Sequence, residues 1–314
     1  MRRYIMTRLF MYMPTLFCVT VLVFGLMRLA PGDPAYMRLM EYGLDVTEEN
    51  LAAAREDLGL DRPAWEQYAL WLGRVSRLDF GRSAITGREV LPEFLAHMRA
   101  TAYLSLPSLG AAVLIALPCG VFSAMYAGSL FDKASRVMTI LLMSAPAFCV
   151  GLALILLFSV RLGWAPSFGY GGARHLMLPC ITLAAGSAAG YTRFIRTAML
   201  DEFSSEYVRS AGARGVPVRA IVWRGALRNA MTPIVTSFGV SLGLLLGGSA
   251  VVESVFSWPG VGKFLVDAIM KRDYAVVQCC SLAFAVFFVT LGLAADLACM
   301  ALDPITRRGR GRAL

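Results

Sequence analysis

SSEYVRSAGARGVPVRAIVWRGALRNAMTPIVT, residues 204–236, is the one long polar, basic segment lying between strongly apolar ones in the second half of the chain. It reads as two short helices with a built-in break. Residues 206–213 are helix-competent, Gly215 sits where a left-handed residue ends a helix, and Pro217 sits where the next helix can begin. Small side chains at Ser210, Ala211, Gly212 and Ala213 keep one surface of the first helix slim, so a partner's groove can close around it. Glu206 near its start suits the positive end of the helix macrodipole. Two uses fit this pattern: a rigid knob offered to a partner, or an amphipathic hairpin lying on a lipid surface.

Outward from the hairpin the chain is apolar. Of 314 residues 57% are hydrophobic and only 16% charged, with a mean hydropathy of +0.62. A soluble domain carries about 25% charged residues, so the composition is that of an integral membrane protein. The net charge of +9 does not point to nucleic acid, because the 30 Lys and Arg gather at segment ends and in short loops, where membrane topology places them. Seven cysteines (Cys18, Cys119, Cys149, Cys180, Cys279, Cys280 and Cys299) fall almost entirely in apolar runs without a C-x-x-C. They read as small buried hydrophobes rather than a disulfide framework or metal site.

The expected fold class is all-α, a polytopic membrane protein with six transmembrane helices. Residues 9–29 follow Arg2, Arg3 and Arg8 and are long enough to span a bilayer core. A cleaved signal peptide is the competing reading, but the apolar run is long and ends in Arg28 without a small-x-small site. Pro31, Gly32 and Pro34 stop this helix. Residues 31–100 form a polar loop with 12 acids and 8 arginines. Within it, 48–58 and 64–78 read as short amphipathic helices, with Trp65, Tyr68 and Trp71 suited to a membrane interface.

Further spans are expected at 101–127, kinked by Pro107 and Pro118, at 137–160, broken by Pro146, and at 176–198, whose Arg193 and Arg196 can snorkel to the surface. The last two are 233–252, rich in glycine at Gly239, Gly243, Gly247 and Gly248, and 277–301. Asp296, near the end of the last, calls for a structural partner. The organisation is thus 1–30 (N-terminus and first helix), 31–100 (outer loop), 101–301 (membrane core, with the polar loop 199–232) and a basic tail, 302–314.

With six spans both termini share a side. Fourteen Lys and Arg lie in the termini and short loops of that side against five in the opposite short loops, so the termini and the hairpin are expected to be cytoplasmic. The long loop faces outward, since long loops translocate largely regardless of charge.

Glu206-Tyr207-Val208-Arg209, Ala211, Ala213-Arg214-Gly215, Leu227-Arg228-Asn229-Ala230 and Pro233 together resemble the EAA loop of ABC importer permeases, in the version of the dipeptide/oligopeptide/nickel family. Two positions depart from that pattern: Gly212 stands where the family usually has a basic residue, and Arg214 where it usually has Lys. Gly212 costs about 1 kcal/mol of helix propensity relative to Ala. The string 28–34, RLAPGDP, resembles the exit of that family's first helix, and the matches continue through 58–63, Gln67-Tyr68, Trp71-Leu72 and 78–83. A second specific match runs from Val252-Glu253 through Trp258-Pro259-Gly260-Val261-Gly262-Lys263 to Asp267-Ala268-Ile269 and Arg272-Asp273-Tyr274.

The resemblance implies an assembly: a sister permease, two ATP-binding subunits and an extracytoplasmic solute-binding protein around a chain embedded in the bilayer. It implies ATPase coupling through Glu206, Tyr207, Arg209, Ala211, Ala213, Arg214 and Gly215. Glu253, Trp258, Pro259, Gly260 and Gly262 are expected to build a glycine-proline turn, as an outer gate or a structured loop, with Trp258 at the interface. The cargo implied is small peptides, or nickel as a chelate or hydrated ion. Gly169-Tyr170-Gly171-Gly172 with His175 resemble the nickel branch.

No catalytic residue, metal site or cofactor is expected. The string 259–264, PGVGKF, lacks the Gly and the Ser/Thr of a phosphate loop, having Ser257 and Phe264 there. His97 and His175 are the only histidines and cannot complete a metal site alone. The alternative function, an ion-gradient-driven secondary transporter or channel, would place ionisable residues deep in several spans, and only Asp296, Glu253 and helix-end arginines are available. A membrane-embedded enzyme lacks a nucleophile, metal cluster or paired carboxylates within the apolar segments.

Overall fold

Apolar runs too long for a single turn of loop, punctuated by proline and glycine, produce helices. A computed structural model describes residues 2–29, 33–227 and 249–302, and among these no strand forms beyond one isolated bridge, Arg82 to Glu89. Most of the expected fifth span lies outside the described residues, as do Pro31, Gly32, Arg228, Asn229, Pro233 and the tail from 303. The chain divides into two units, one of Met1–Thr101 with Pro259–Val289, the other of Ala102–Trp258 with Thr290–Leu314.

In the first unit α1 (Arg2–Leu29) is followed by α2 (Pro34–Glu41), α3 (Glu48–Asp57) and α4 (Ala64–Val75). Thr47 caps α3 by accepting from the Asn50 N–H at 3.2 Å. Asp33 ties α2 to α3, accepting from the Ala35 N–H and from Arg55 Nε, each at 2.9 Å. Ala35, Leu39 and Ala54 are buried between these two helices. The aromatic face of α4, expected to suit a membrane interface, is taken up largely by a neighbouring helix. Tyr68 and Trp71 pack on Phe24 of α1, at centroid distances of 5.4 and 6.0 Å, and the Tyr68 hydroxyl is 2.8 Å from that of Thr20. Only Trp65, 73% exposed, keeps an outward position.

The helix expected from residue 101 starts eleven residues earlier, as α5 (Val90–Met125), with Pro107 and Pro118 inside it. Its first turns pack with α12 (Val261–Lys271) and the start of α13 (Tyr274–Leu302) through Val90, Phe94, Val261, Ala268, Val276 and Val277. Arg272 closes α12 in the left-handed region (φ 58°), and the buried Asp273 accepts a hydrogen bond from Ser83. Cys279 and Cys280 are buried here as expected, but Cys18 and Cys149 are exposed on their helices. Asp296 falls on α13, its side chain outside the described residues.

The second unit is built around α8 (Ala173–Phe203), which buries Leu178, Thr182, Ala184, Ala188, Tyr191, Ile195 and Met199 among other residues. It packs against α5, α6 (Leu130–Ser144) and α7 (Ala147–Leu154), the last continuing as a π-helical turn, Ile155–Arg161. Small residues let α5 and α8 approach closely, because a Cβ on Gly120 would stand 2.7 Å from that of Ile195. α6 and α7 meet at 103°. Ala145 is extended (ψ 126°) before Pro146, as the pyrrolidine ring demands. Proline here therefore breaks the expected third span into two separately directed helices.

Arg196 corrects a second expectation. It does not snorkel. Its Nε donates to Asp132 Oδ1 at 2.7 Å and its Nη2 to Oδ2 at 2.9 Å, and the carboxylate has no exposed surface. Ser123 Oγ donates to Oδ1 at 2.6 Å and the Gly128 N–H to Oδ2 at 2.9 Å. Gly128 supplies the left-handed turn (φ 84°) that aims this N–H.

By length and composition two helices can cross a membrane, α5 and residues 274–294 of α13, or three if the bent α6–α7 pair counts as one. The apolar part of α1, Phe10–Leu26, is shorter, and α8 is long enough but less apolar than α5 and α13. A helix surrounded by others can hide small and polar residues against them, which a span ringed by lipid cannot. The count of six is therefore not recovered among the described residues.

Asp132→Ala leaves the Arg196 guanidinium without its carboxylate and is expected to cost about 3–5 kcal/mol. Arg196→Met added to Asp132→Leu should recover much of that loss. Thermal unfolding in detergent reads both, and an unchanged midpoint in the single mutant would contradict the assigned role.

Candidate functional site

α9 (Glu206–Ala213) leaves α8 across Ser204 and Ser205, and none of its eight residues is buried. Its end follows from one glycine. Gly215 adopts φ 75°, its N–H donates to the Gly212 carbonyl at 2.9 Å, and the Val216 N–H donates to the Ala211 carbonyl at 3.1 Å. This pair of bonds is the Schellman termination. Pro217 then opens α10 (Val218–Ala220), its carbonyl accepting from the Ala220 N–H at 2.8 Å, and α10 runs on as a π-helical turn, Ile221–Ala226.

Tyr207 fastens the hairpin. Its hydroxyl donates to Glu202 Oε2 at 2.7 Å, and its ring lies 3.4 Å from where a Cβ on Gly225 would stand. Arg214 turns back on its own helix, Nη1 donating to Ser210 Oγ at 2.7 Å. Glu206, Arg209, Ala213 and Gly215 are exposed and Ala211 is half-buried. The seven residues singled out in sequence thus share one exposed helix and its cap, with Tyr207 as the anchor. Glu202 and Gly225, which sequence reasoning missed, hold that anchor. Their only signal was their spacing of five and eighteen residues from Tyr207.

The second candidate site is a sharp turn after α11 (Ala250–Val255). On the side of the second unit, Glu253 and Trp258 have no exposed surface. Ser249 Oγ donates to Glu253 Oε1 at 2.7 Å, and the Trp258 N–H donates to the Glu253 carbonyl at 2.7 Å. Ser257 bends the chain in the left-handed region (φ 50°). Trp258, expected at the interface, is instead enclosed, stacked on Tyr103 at 6.1 Å with Tyr170 edge-on at 4.8 Å. The Gly169 N–H donates to the Phe256 carbonyl at 2.9 Å, so the glycine-rich run 169–172 packs against the turn.

On the side of the first unit, Gly260 caps α12 and Gly262 is buried within it. The Val261 N–H donates to Thr101 Oγ1 at 2.8 Å. The Pro259 carbonyl accepts from His97 Nδ1 at 2.8 Å, which fixes that nitrogen as the protonated one. The His97 ring stacks on Phe264 at 4.3 Å. The lysine- and glycine-bearing string 259–264 is therefore an interlocked turn, with the Val261 N–H that a phosphate would need already bonded to Thr101. His97 and Thr101 are the members that sequence reasoning did not assign.

The architecture is that of an ABC importer permease. The inward-facing MetNI methionine ABC transporter superposes with a TM-score of 0.57 at 19% identity, over 67% of this chain and 96% of that one. An amino acid ABC transporter solved with histidines gives 0.54 at 16%, over 67% and 94%. At such identities the likeness concerns fold alone.

Residues 116–308 match the binding-protein-dependent transport system inner membrane component family, and residues 1–97 its N-terminal membrane-component family; the chain belongs to this family of transport subunits. The glutathione transport system permease protein GsiC of Escherichia coli strain K12 is 39% identical over 307 residues, covering 98% of this chain and 99% of that protein. GsiC of Shigella dysenteriae serotype 1 gives the same figures.

Two outcomes test the site geometry. Gly215→Val places a β-branched residue at a left-handed backbone, costing about 1–3 kcal/mol. Amide exchange at Val216 should accelerate at least tenfold while membrane insertion is unaffected. Trp258→Ala, emptying an enclosed aromatic site, is expected to destabilise by about 3–5 kcal/mol, read as a lowered unfolding midpoint.

Proposed function

We propose that this chain is one permease subunit of an ATP-driven importer of small peptides, working with a sister permease, two ATP-binding subunits and an extracytoplasmic solute-binding protein. The observation that carries the coupling part is α9: a helix that buries none of its residues, closed by a glycine cap and fastened by Tyr207, is a surface prepared for another protein. Its slim last turn, residues 210–213, suits a cleft in an ATPase subunit. Glu206 and Arg209 are exposed charges available to such a cleft.

In this reading both termini and the hairpin are cytoplasmic, and residues 31–100 face outward. ATP binding draws the ATPase subunits together, α9 moves with them, and the proline-broken helices switch access by rigid-body motion. Glu253 and Trp258 at the end of one unit, and Pro259, Gly260 and Gly262 at the start of the other, serve as outer-gate structure.

The 39% identity to a glutathione permease over nearly the whole chain favours a short peptide, the γ-glutamyl tripeptide class included, over nickel. Both histidines already serve packing: His97 stacks on Phe264, and a Cβ on Gly171 would stand 2.8 Å from His175 Nδ1.

A deletion strain complemented with the wild-type gene separates the cargoes. Uptake of labelled glutathione and dipeptides should fall in the deletion and return on complementation, while trace nickel accumulation stays constant. Loss of nickel uptake alone would overturn the peptide assignment. Glu206→Lys should reduce co-purification of the ATP-binding subunits several-fold at unchanged permease abundance, and undiminished recovery would contradict coupling through α9.

A further inference from the structure

The first unit contains a cavity of about 720 Å3 whose wall carries five arginines, Arg28, Arg62, Arg74, Arg82 and Arg272, against two acids, Glu56 and Asp57. That volume is in the range of small-ligand sites, and the excess of positive charge selects an anion. Two of the arginines are partly engaged. Arg62 pairs with Glu66 at 3.0 Å, and Arg82 makes a long contact of 3.4 Å with the Gly87 carbonyl. Arg28 lies over the Phe24 ring at 5.6 Å, which orients its guanidinium without neutralising it. Arg74 and Arg272 form no ion pair among the described residues.

The depth of the cavity narrows the kind of anion. Phe24 and Arg28 stand at the end of the apolar part of α1, and Tyr274 and Gln278 stand in the first turns of α13, where a membrane-length apolar helix begins. Apolar helix ends mark the boundary of the hydrocarbon core, and aromatic residues such as Phe24, Trp71 and Tyr274 are at home there. A phosphate at that level is supplied in high local concentration by the lipid itself. Guanidinium groups match phosphate oxygens in paired, bidentate fashion. Glu56 and Asp57 would repel a bare anion, yet they suit a headgroup that also carries hydroxyl donors.

We propose that this arginine-lined cavity of the first unit binds the phosphate of an anionic phospholipid headgroup of the glycerol type, with Arg74 and Arg272 as its chief ligands and Glu56 and Asp57 accepting from the headgroup hydroxyls. The site is separate from α9 and from the turn at Pro259, and it does not depend on the cargo or on the coupling role. It would tie α1, α4 and the start of α13 to the lipid that surrounds them.

The test uses the transport complex purified in detergent and stripped of lipid. It is titrated with palmitoyl-oleoyl phosphatidylglycerol, with the phosphatidylcholine of the same chains, and with sodium phosphate, bound lipid being counted by native mass spectrometry. Phosphatidylglycerol should bind in preference to phosphatidylcholine. Arg74→Gln should lower its affinity about fivefold, the effect of one interfacial arginine, and Arg77→Gln, on the same segment outside the cavity, should leave it unchanged.

Lipid binding that sodium phosphate does not displace identifies the headgroup as the source. Displacement by sodium phosphate, lost in Arg74→Gln, keeps the phosphate site and makes free phosphate its ligand. Equal binding of the two lipids by the wild type overturns the proposal, as does phosphatidylglycerol binding that Arg74→Gln leaves unaltered. Should Arg74→Gln fail to assemble, Arg82→Gln and the wild-type lipid preference decide the matter.

Discussion

A carboxylate with no exposed surface is tolerated only when every lone pair has a partner, and Asp132 meets that condition with four hydrogen bonds from three elements. Arg196 clamps it from α8, Ser123 reaches it from α5, and the Gly128 N–H reaches it from the turn before α6. Removing any one leaves a buried charge short of its partners, so the three elements are held in one register. Close by, Gly120 lets α5 press against Ile195, the residue before the arginine. The ionic clamp and the small-residue contact reinforce each other because they lie on adjacent turns of the same two helices.

That clamp bears on function through geometry. Arg196 is seven residues before the end of α8, about 10 Å along the axis, and α9 begins three residues beyond that end. The exposed hairpin is therefore carried on the end of a helix whose orientation is fixed by a buried ion pair. In the coupling role proposed for α9, such a mount would keep the helix from rotating and absorbing the motion. Tyr207 completes the mount by bridging the end of α8 at Glu202 and the returning turn at Gly225.

The turn at residues 253–262 shows how much of a motif is invisible in one dimension. Its glycines and proline were legible as a turn, and Trp258 as an aromatic beside it. Burial reversed the environment of that tryptophan, because Tyr103 and Tyr170 come from segments 155 and 88 residues away to enclose it. His97 and Thr101 were likewise unreadable as parts of the turn, since nothing in their neighbourhood signals hydrogen bonds to residues 162 and 160 positions later.

Local rules determined a good deal from the sequence alone. Membrane composition, the helices around Glu48, Ala64 and Glu206, the left-handed cap at Gly215 and the break at Pro146 depend on residues within a turn or two of each other, where backbone sterics and capping act. Tertiary structure alone decided the pairing of Asp132 with Arg196, the withdrawal of Tyr68 and Trp71 onto α1, the enclosure of Trp258 and the 103° angle at Pro146. Each of these is a choice between water, lipid and protein as the surroundings of a side chain. That choice is made by whichever distant segment packs there, and a linear sequence does not say which segment that is.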